Sequence, residues 1–184
     1  MAAPNALYFT TDEEACRLLA ENPFALLVGF AIDQQVPVPT AFAGPLKLKQ
    51  RLGTLDPAEV AAADLEPLFR EKPAIHRFPG AMAERVRDLA RHVVDEYDGD
   101  ASRLWREAKD SDDLRRRLEA LPGYGDMKIK SMGAVLSKRF GVKKAEPLAP
   151  TFPCLGDVDS PQALLDYQAA KRAHKAALRA GQAR

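Results

Sequence analysis

The sequence contains few of the residues that build metal centres, disulfide frameworks or β-sheets. Only two cysteines, Cys16 and Cys154, occur in 184 residues, and they lie far apart. Two thiols cannot supply a four-cysteine zinc or iron–sulfur site, and reduced thiols of a cytoplasmic protein are the simpler interpretation. Aromatic residues make up 7% of the chain and β-branched residues are sparse, whereas alanine and leucine are abundant, which favours helices.

Long hydrophobic segments are also missing. The longest apolar stretch, Phe24 to Ile32, is too short to span a bilayer, and residues 1–10 contain neither a basic region nor an apolar core of the signal-peptide type. We therefore expect a cytoplasmic protein that does not interact with a membrane. The chain length, with 46% hydrophobic and 29% charged residues, predicts a single soluble domain over residues 1–184.

Charge is unevenly distributed along the chain. The net charge is +1, but residues 1–110 contain 13 basic and 18 acidic residues, a net of −5, whereas residues 111–184 contain 14 and 8, a net of +6. This asymmetry suggests a surface in the second half that faces an anion. An ordinary solvated helical surface would produce the same asymmetry.

Capping residues and apolar spacing predict a chain of helices. Thr11–Glu14 begins a helix that reaches about Glu21, and Asn22-Pro23 ends it and starts an almost wholly apolar helix to Asp33. Short helices follow Asp56-Pro57 and Asp64. Longer helices are predicted over residues 40–52, 81–97, 101–108, 112–120, 127–140 and 162–180, with a proline-rich irregular stretch over residues 141–156.

The most informative segment is Leu121-Pro-Gly-Tyr-Gly125, which lies between two predicted helices. Gly123 and Gly125 permit positive φ angles and a close backbone approach, and the second helix begins just after Gly125. The first backbone N–H groups of that helix have no partners inside it, so together with the helix dipole they form a phosphate site. The pattern is that of a helix-hairpin-helix, although an ordinary pair of helices joined by a glycine turn would also produce it.

The residues after the hairpin add to this interpretation. Lys128 and Lys130 stand near the N-terminus of the second helix, where they oppose the helix dipole, and a DNA phosphate would explain their presence. The small residues Gly133 and Ala134 are expected to let the two helices pack closely against each other.

Together with its neighbours, the motif resembles the HhH-GPD superfamily of base-excision DNA glycosylases, and in particular a small bacterial branch of it. Asn22–Leu27 resembles the family's first buried helix, Asp33–Gln35 lies where the family has a glutamine-containing turn, and Ala83–Val86 resembles the helix after the central loop. The resemblance extends from about Asn22 to Phe140. It implies an all-α fold with two helical lobes, one of residues 22–140 with the hairpin at 112–140, and one of residues 1–21 and 141–184.

The resemblance implies that the chain binds double-stranded DNA as a monomer and hydrolyses the N-glycosidic bond of a flipped damaged or mispaired base. The alternatives are a non-catalytic DNA-binding or damage-sensing module and a helical scaffold without a nucleic-acid role. Lyase members carry a lysine two residues after the hairpin's second glycine, where this chain has Met127. Lys128 should face elsewhere, so we expect a monofunctional enzyme. No iron–sulfur cluster is expected, and a monovalent cation at the hairpin is the one cofactor that the resemblance leaves open.

The predicted DNA contacts come from the hairpin, the glutamine turn and a loop. Gln35 is the candidate wedge for the space left by the flipped base, with Gln34 as its rival and helix capping as the ordinary alternative. His76 and Arg77 lie on a loop that could meet DNA, although a lone loop histidine is more often structural. The expected DNA-binding residues are Leu121, Pro122, Gly123, Tyr124, Gly125, Met127, Lys128, Lys130, Gln34, Gln35, His76 and Arg77. Candidates for the base pocket, by placement alone, are Phe30, Asp33, Phe42, Tyr124 and His76.

The catalytic carboxylate is not in the place where the family usually has it. The segment after the hairpin's second helix is Lys143-Lys-Ala-Glu-Pro-Leu148, which contains no aspartate. Val158-Asp159-Ser160 resembles the family's aspartate-bearing helix start, displaced by a proline-rich insertion. Asp159 is therefore the candidate, expected to cap the last helix while facing the cleft, although an ordinary N-cap explains the same residues. The alternatives are Asp157, Glu146 and the absence of catalysis.

Overall fold

The computed structural model describes residues 2–183, which form ten α-helices and two short 3-10 helices and contain no strand. The prediction of an all-α fold is confirmed, while its finer membership of the HhH-GPD fold stays a prediction. The α-helices are α1 Glu13–Glu21, α2 Pro23–Ile32, α3 Val38–Leu52, α4 Pro57–Ala62, α5 Glu66–Arg70, α6 Pro79–Tyr97, α7 Arg103–Arg106, α8 Ser111–Glu119, α9 Asp126–Phe140 and α10 Pro161–Gln182. The 3-10 helices cover Lys143–Leu148 and Leu155–Asp157.

Local capping chemistry sets most helix boundaries. The Asp12 side chain accepts the N–H of the third residue of α1, and Asn22 both ends α1 and caps α2. At the last helix the cap is Ser160, whose hydroxyl oxygen accepts the Ala163 N–H at 3.1 Å. The expectation that Asp159 caps α10 is therefore wrong by one residue, because the Ser160 side chain already occupies the position that bonds the first turn.

Helix α2 lies at the centre of the fold. All of its residues from Phe24 to Ile32 are buried, and it packs against α1, α3 and α6. A Cβ on Gly29 would lie 2.5 Å from the Phe42 ring, so glycine permits the close approach of α2 and α3. Among residues 2–183 no single helix is long and apolar enough to cross a bilayer; α1 and α2 reach that threshold only as a pair, which is bent by 114°.

The segment after α9 is ordered against that helix. A Cβ on Gly133 would lie 2.5 Å from the Leu148 Cβ, and a Cβ on Gly156 would lie 2.7 Å from the backbone of Ala134. Gly133 and Ala134 therefore make room for the two 3-10 helices, and the expectation that they bring α8 and α9 together is wrong. The proline-rich stretch is less irregular than predicted because it packs on this surface of small residues.

Candidate nucleic-acid interface

The predicted hairpin consists of α8, a turn over residues 120–125 and α9. Gly123 has a φ of +82°, in the left-handed region, and the Tyr124 N–H closes the turn by donating to the Leu121 carbonyl at 3.2 Å. Gly125 precedes α9 without a side-chain cap, and no residue other than its two chain neighbours comes within 4 Å of the place where its Cβ would be. The first N–H groups of α9 therefore face an open surface without a side-chain acceptor.

Two buried residues of the motif anchor the hairpin to the core. Leu121 and Tyr124 are buried, and the Tyr124 hydroxyl donates to the Leu27 carbonyl in the middle of α2 at 2.9 Å. Burial raises the pKa of Tyr124 well above its usual value. The anchoring leaves the two glycines exposed, together with Met127, which is 58% exposed.

The two lysines of α9 have partners inside the protein. Lys128 turns back toward α2, where its Nζ donates to the Gly123 carbonyl at 3.0 Å and to the Ala31 carbonyl at 3.1 Å. Lys130 pairs at 2.9 Å with Asp126, whose carboxylate also accepts a hydrogen bond from an arginine of α8. The inference that these cations require a DNA phosphate is therefore wrong, because carbonyl oxygens and a carboxylate already explain them.

The hydrogen bond from Lys128 to the Gly123 carbonyl also affects whether the hairpin can bind a monovalent cation. The Gly123 carbonyl is engaged by the Lys128 ammonium group, so the residues at this carbonyl do not fit a monovalent cation. Within residues 2–183 no group of three or more histidine, cysteine, aspartate or glutamate side chains is arranged to hold a metal ion.

The Gln34–Gln35 turn follows α2 directly and lies beside the hairpin. Gln35 is exposed and has a φ of 56°, a backbone conformation that residues other than glycine seldom adopt. Gln34 is held at two points: its carbonyl accepts from His76 Nε2 at 3.0 Å, and its side-chain oxygen accepts from Arg85 Nη1 at 2.6 Å. The turn therefore anchors Gln34 and presents Gln35.

His76 is a buried residue that supports this turn. It is 2% exposed, and its Nδ1 accepts the Phe78 N–H at 3.0 Å, which assigns the ring proton to the Nε2 that donates to Gln34. Burial lowers the pKa of His76, in keeping with a neutral ring. Neither nitrogen is left for the direct DNA contact expected of it. Arg77 is exposed and lies over the Phe78 ring at 4.9 Å.

Arg85 of α6 joins the turn to the hairpin, and sequence reasoning missed it. Besides Gln34 it donates to the Ala31 carbonyl at 3.2 Å, and a Cβ on Gly123 would lie 2.5 Å from its Cδ. Gly123 is therefore required both by its φ angle and by the approach of Arg85. No local signal marks Arg85 in the sequence, because all of these partners are distant along the chain.

Asp33 ends α2 between the cations of two other helices. Burial raises the pKa of its carboxyl group, although Lys128 of α9 and Lys171 of α10 both oppose this rise. Burial also lowers the pKa of Lys128 to about 8 and, with the nearby Asp33, raises the pKa of Tyr167 to about 12. Strongly perturbed groups in a cleft are typical of functional sites, although structural ion-pair networks show them too.

Among the described residues, no ion pair or hydrogen bond joins the carboxylates after the hairpin to Asp33 or Lys128. Asp159 is exposed and takes part in no ion pair or hydrogen bond with another described residue. Asp157 accepts the Cys154 N–H at 3.0 Å and pairs with Lys138 at 2.5 Å, while Glu146 is exposed on a 3-10 helix. The expected pocket residues Phe30 and Phe42 belong to the closed core.

An open cleft of 650 Å³ separates the glutamine turn from α10. Gln35 and the start of α3 line one part of the cleft. The rest of the lining includes Arg77 and three cations of α10, which are Lys171, Arg172 and Lys175. No acidic residue lines this cleft. Sequence reasoning did not select the α10 cations, although the absence of acidic residues after Asp166 was a visible signal.

Comparison with known proteins gives no relative for this chain. No family model, no curated protein and no solved structure matches it. The resemblance to the HhH-GPD superfamily therefore stays a prediction from the motif, and a function has to be argued from the site itself.

Proposed function

We propose that the protein binds duplex DNA along this cleft and hydrolyses the N-glycosidic bond of a flipped damaged or mispaired base. The observation that carries the proposal is the link between the Gln34–Gln35 turn and the hairpin turn at residues 120–125. Arg85 bonds Gln34 and packs on Gly123, while Lys128 connects Gly123 to the end of α2. An uncapped helix N-terminus that suits a phosphate and a strained glutamine that suits a wedge are thereby held side by side.

Each part has a role in turning a nucleotide out of the stack. The N–H groups of the hairpin bind one backbone phosphate, and the cations of the cleft bind its neighbours. The exposed Gln35 amide fills the vacated space and replaces lost base-edge hydrogen bonds. Extruding a nucleotide costs a few kcal/mol and is easiest for a damaged or mispaired base, which favours such a base as the substrate.

Asp33 is the carboxylate best suited to the chemistry. It adjoins the Gln34–Gln35 turn, and its raised pKa brings it closer to the range in which a carboxylate can activate a water. Its ionised form would also stabilise positive charge that develops on the sugar. Asp159, the candidate from the sequence, is exposed and has no link to the hairpin, so we place Asp33 before it.

Single-turnover base release from duplexes carrying uracil, hypoxanthine, alkylated purines or oxidised bases tests this proposal. We expect Asp33→Asn to slow release by about 100-fold or more, the usual contribution of an acid or base, with little change in DNA affinity. The matched control Asp159→Asn is expected to act like the wild type, and the opposite result would transfer the role to Asp159. Borohydride added during the reaction should trap no protein–DNA adduct, because water rather than Lys128 is the nucleophile.

A non-catalytic DNA-binding protein is the second candidate. The observation that favours it is the attraction between Asp33 and the two lysines, Lys128 and Lys171. A cluster of opposite charges with a purely structural role would contain the same residues. Failure to release any base from the whole panel, together with salt-sensitive DNA binding that depends on the hairpin, would establish this alternative.

A further inference from the structure

The C-terminal part of α10 extends from the body of the protein as a single basic helix. From residue 169 onward every described residue of α10 is exposed, and no acidic residue follows Asp166. This helix carries four cations, Lys171, Arg172, Lys175 and Arg179. Within residues 2–183 none of the four takes part in an ion pair, whereas many arginines of other helices do. We call residues 169–182 the basic arm.

The cations of the basic arm share one face. At 3.6 residues per turn, Lys171, Arg172, Lys175 and Arg179 fall within an arc of about 100°, and the opposite face is formed by Ala170, Ala173, Ala177 and Ala180. The first three cations also line the cleft opposite Gln35. The basic face of the arm therefore continues the wall of the cleft outward from the protein.

This arrangement is unfavourable for a helix in water. Lys171, Lys175 and Arg179 repeat every four residues, and like charges at that spacing destabilise a helix by about 0.2–0.5 kcal/mol per pair. A helical segment of this length is also marginal without packing. A polyanion laid against the basic face would remove the repulsion, so the arm suits a partner with regularly spaced negative charges.

We propose that the basic arm is a second DNA-binding surface, which lies along the sugar–phosphate backbone of the duplex beyond the cleft. This inference rests on the proposed DNA binding and is independent of the glycosylase chemistry. The arm is about 21 Å long, which corresponds to about six base pairs of duplex. Leu178 is its only large apolar residue, and a helix that binds membranes buries many of them, so phosphate is favoured over lipid.

The test compares a triple variant with a matched control across a salt series on an undamaged duplex. Lys171→Gln, Lys175→Gln and Arg179→Gln together remove the row of arm cations, while Lys49→Gln, Lys72→Gln and Lys109→Gln remove three exposed lysines from other segments. We expect the arm variant to reduce the slope of log affinity against log salt by about 2–3 and to weaken binding about tenfold or more at moderate salt. The control is expected to bind like the wild type.

Two further readouts are specific to an arm. Shortening the duplex by one helical turn on the arm side should weaken the wild type and leave the arm variant unchanged. Amide hydrogen exchange over residues 169–182 should slow when DNA binds. Equal losses in both triple variants, or an affinity independent of duplex length, would overturn the proposal.

The outcomes separate this inference from the proposed function. DNA binding that depends on the arm, without release of any base, would support the arm as a DNA-binding surface and refute the proposed glycosylase activity. Base release with unaltered binding by the arm variant refutes the arm, together with the phosphate contacts assigned to Lys171 and Lys175 in the cleft, and retains the glycosylase chemistry. Arm-dependent binding to vesicles of equal phosphatidylcholine and phosphatidylserine, with DNA binding unaffected, would replace DNA by an anionic lipid surface as the partner.

Discussion

At the scale of single residues, Asp33 at the end of α2 and Lys128 of α9 carry charges that burial makes costly. Loss of water raises the pKa of Asp33 and lowers the pKa of Lys128 to about 8, so each charged form is disfavoured where it stands. Their mutual attraction offsets only part of this cost. Residues that a fold retains at the expense of stability are frequently those that serve its activity.

Replacement of Asp33 by asparagine is expected to stabilise the free protein at neutral pH. Because the folded-state pKa of Asp33 is raised, the folded state binds a proton more readily than the unfolded state, and the carboxylate lowers stability once the pH rises through the folded pKa. The gain in the free energy of unfolding should therefore shrink as the pH falls toward about 4, the ordinary pKa of aspartate. Denaturant titrations at several pH values measure it.

Asp159→Asn provides the comparison, because the Asp159 side chain is exposed, and this variant should be as stable as the wild type at neutral pH. A loss of stability in Asp33→Asn at neutral pH would mean that Asp33 serves as the structural partner of its two lysines.

At the scale of elements, the two glycines of the hairpin have different physical tasks. Gly123 adopts a left-handed φ and admits Arg85, so its role lies within the protein. Gly125 has an ordinary φ of −97° and open space around it, and it begins α9 without a side-chain cap. Of the two hairpin glycines, the fold requires only Gly123, and the N-terminus of α9 carries no side-chain cap.

Gly125→Ser and Gly123→Ala should therefore have opposite effects on stability and the same effect on DNA binding. A serine at the start of α9 can cap the helix and stabilise the protein by a few tenths of a kcal/mol, yet it occupies the N–H groups that a phosphate would use. Gly123→Ala should cost about 1–2 kcal/mol through its φ angle alone, with more from the displacement of Arg85. Thermal unfolding and DNA titrations measure both quantities, and full DNA affinity in Gly125→Ser would rule out a phosphate at this helix end.

At the scale of the whole molecule, one apolar core includes residues from Leu7 to Leu164. Helix α2 passes through this core, and the hairpin is bonded to it through Tyr124 and Lys128. The basic arm alone extends beyond the core. The site is therefore assembled by the packing of α2, α6 and α9, and it cannot form before these helices meet.

Unfolding is expected to be a single cooperative transition. Trp105 is the only tryptophan, it lies in the core at 7% exposure, and its fluorescence reports on tertiary packing. Fluorescence and far-ultraviolet circular dichroism should give coincident denaturation midpoints, with the exposed arm contributing only a sloping baseline. Two separated midpoints would instead support the two lobes predicted from the sequence.

Local chemistry was sufficient to predict the helices and the hairpin of this protein. Asp12, Asn22 and Asp56 cap the helices that the sequence predicted for them, because a cap depends on neighbours within a few residues. The same holds for the Gly123 turn, since its left-handed φ is a local demand that glycine meets. The prediction that Asp159 caps α10 is wrong by one residue because the neighbouring Ser160 is an equally good capping residue.

The composition of the site depended on contacts between distant segments. From the sequence, Lys128 is expected to bind a phosphate, whereas in the packed structure its ammonium group donates to the Ala31 carbonyl of α2. Arg85 has no local signal in the sequence, because its partner Gln34 is distant along the chain. Asp33 is the carboxylate proposed for the chemistry because folding buries it beside the Gln34–Gln35 turn and brings lysines of α9 and α10 near it. Spacing along a chain fixes which face of a helix a residue occupies, whereas burial and charge partners arise only when the helices pack together.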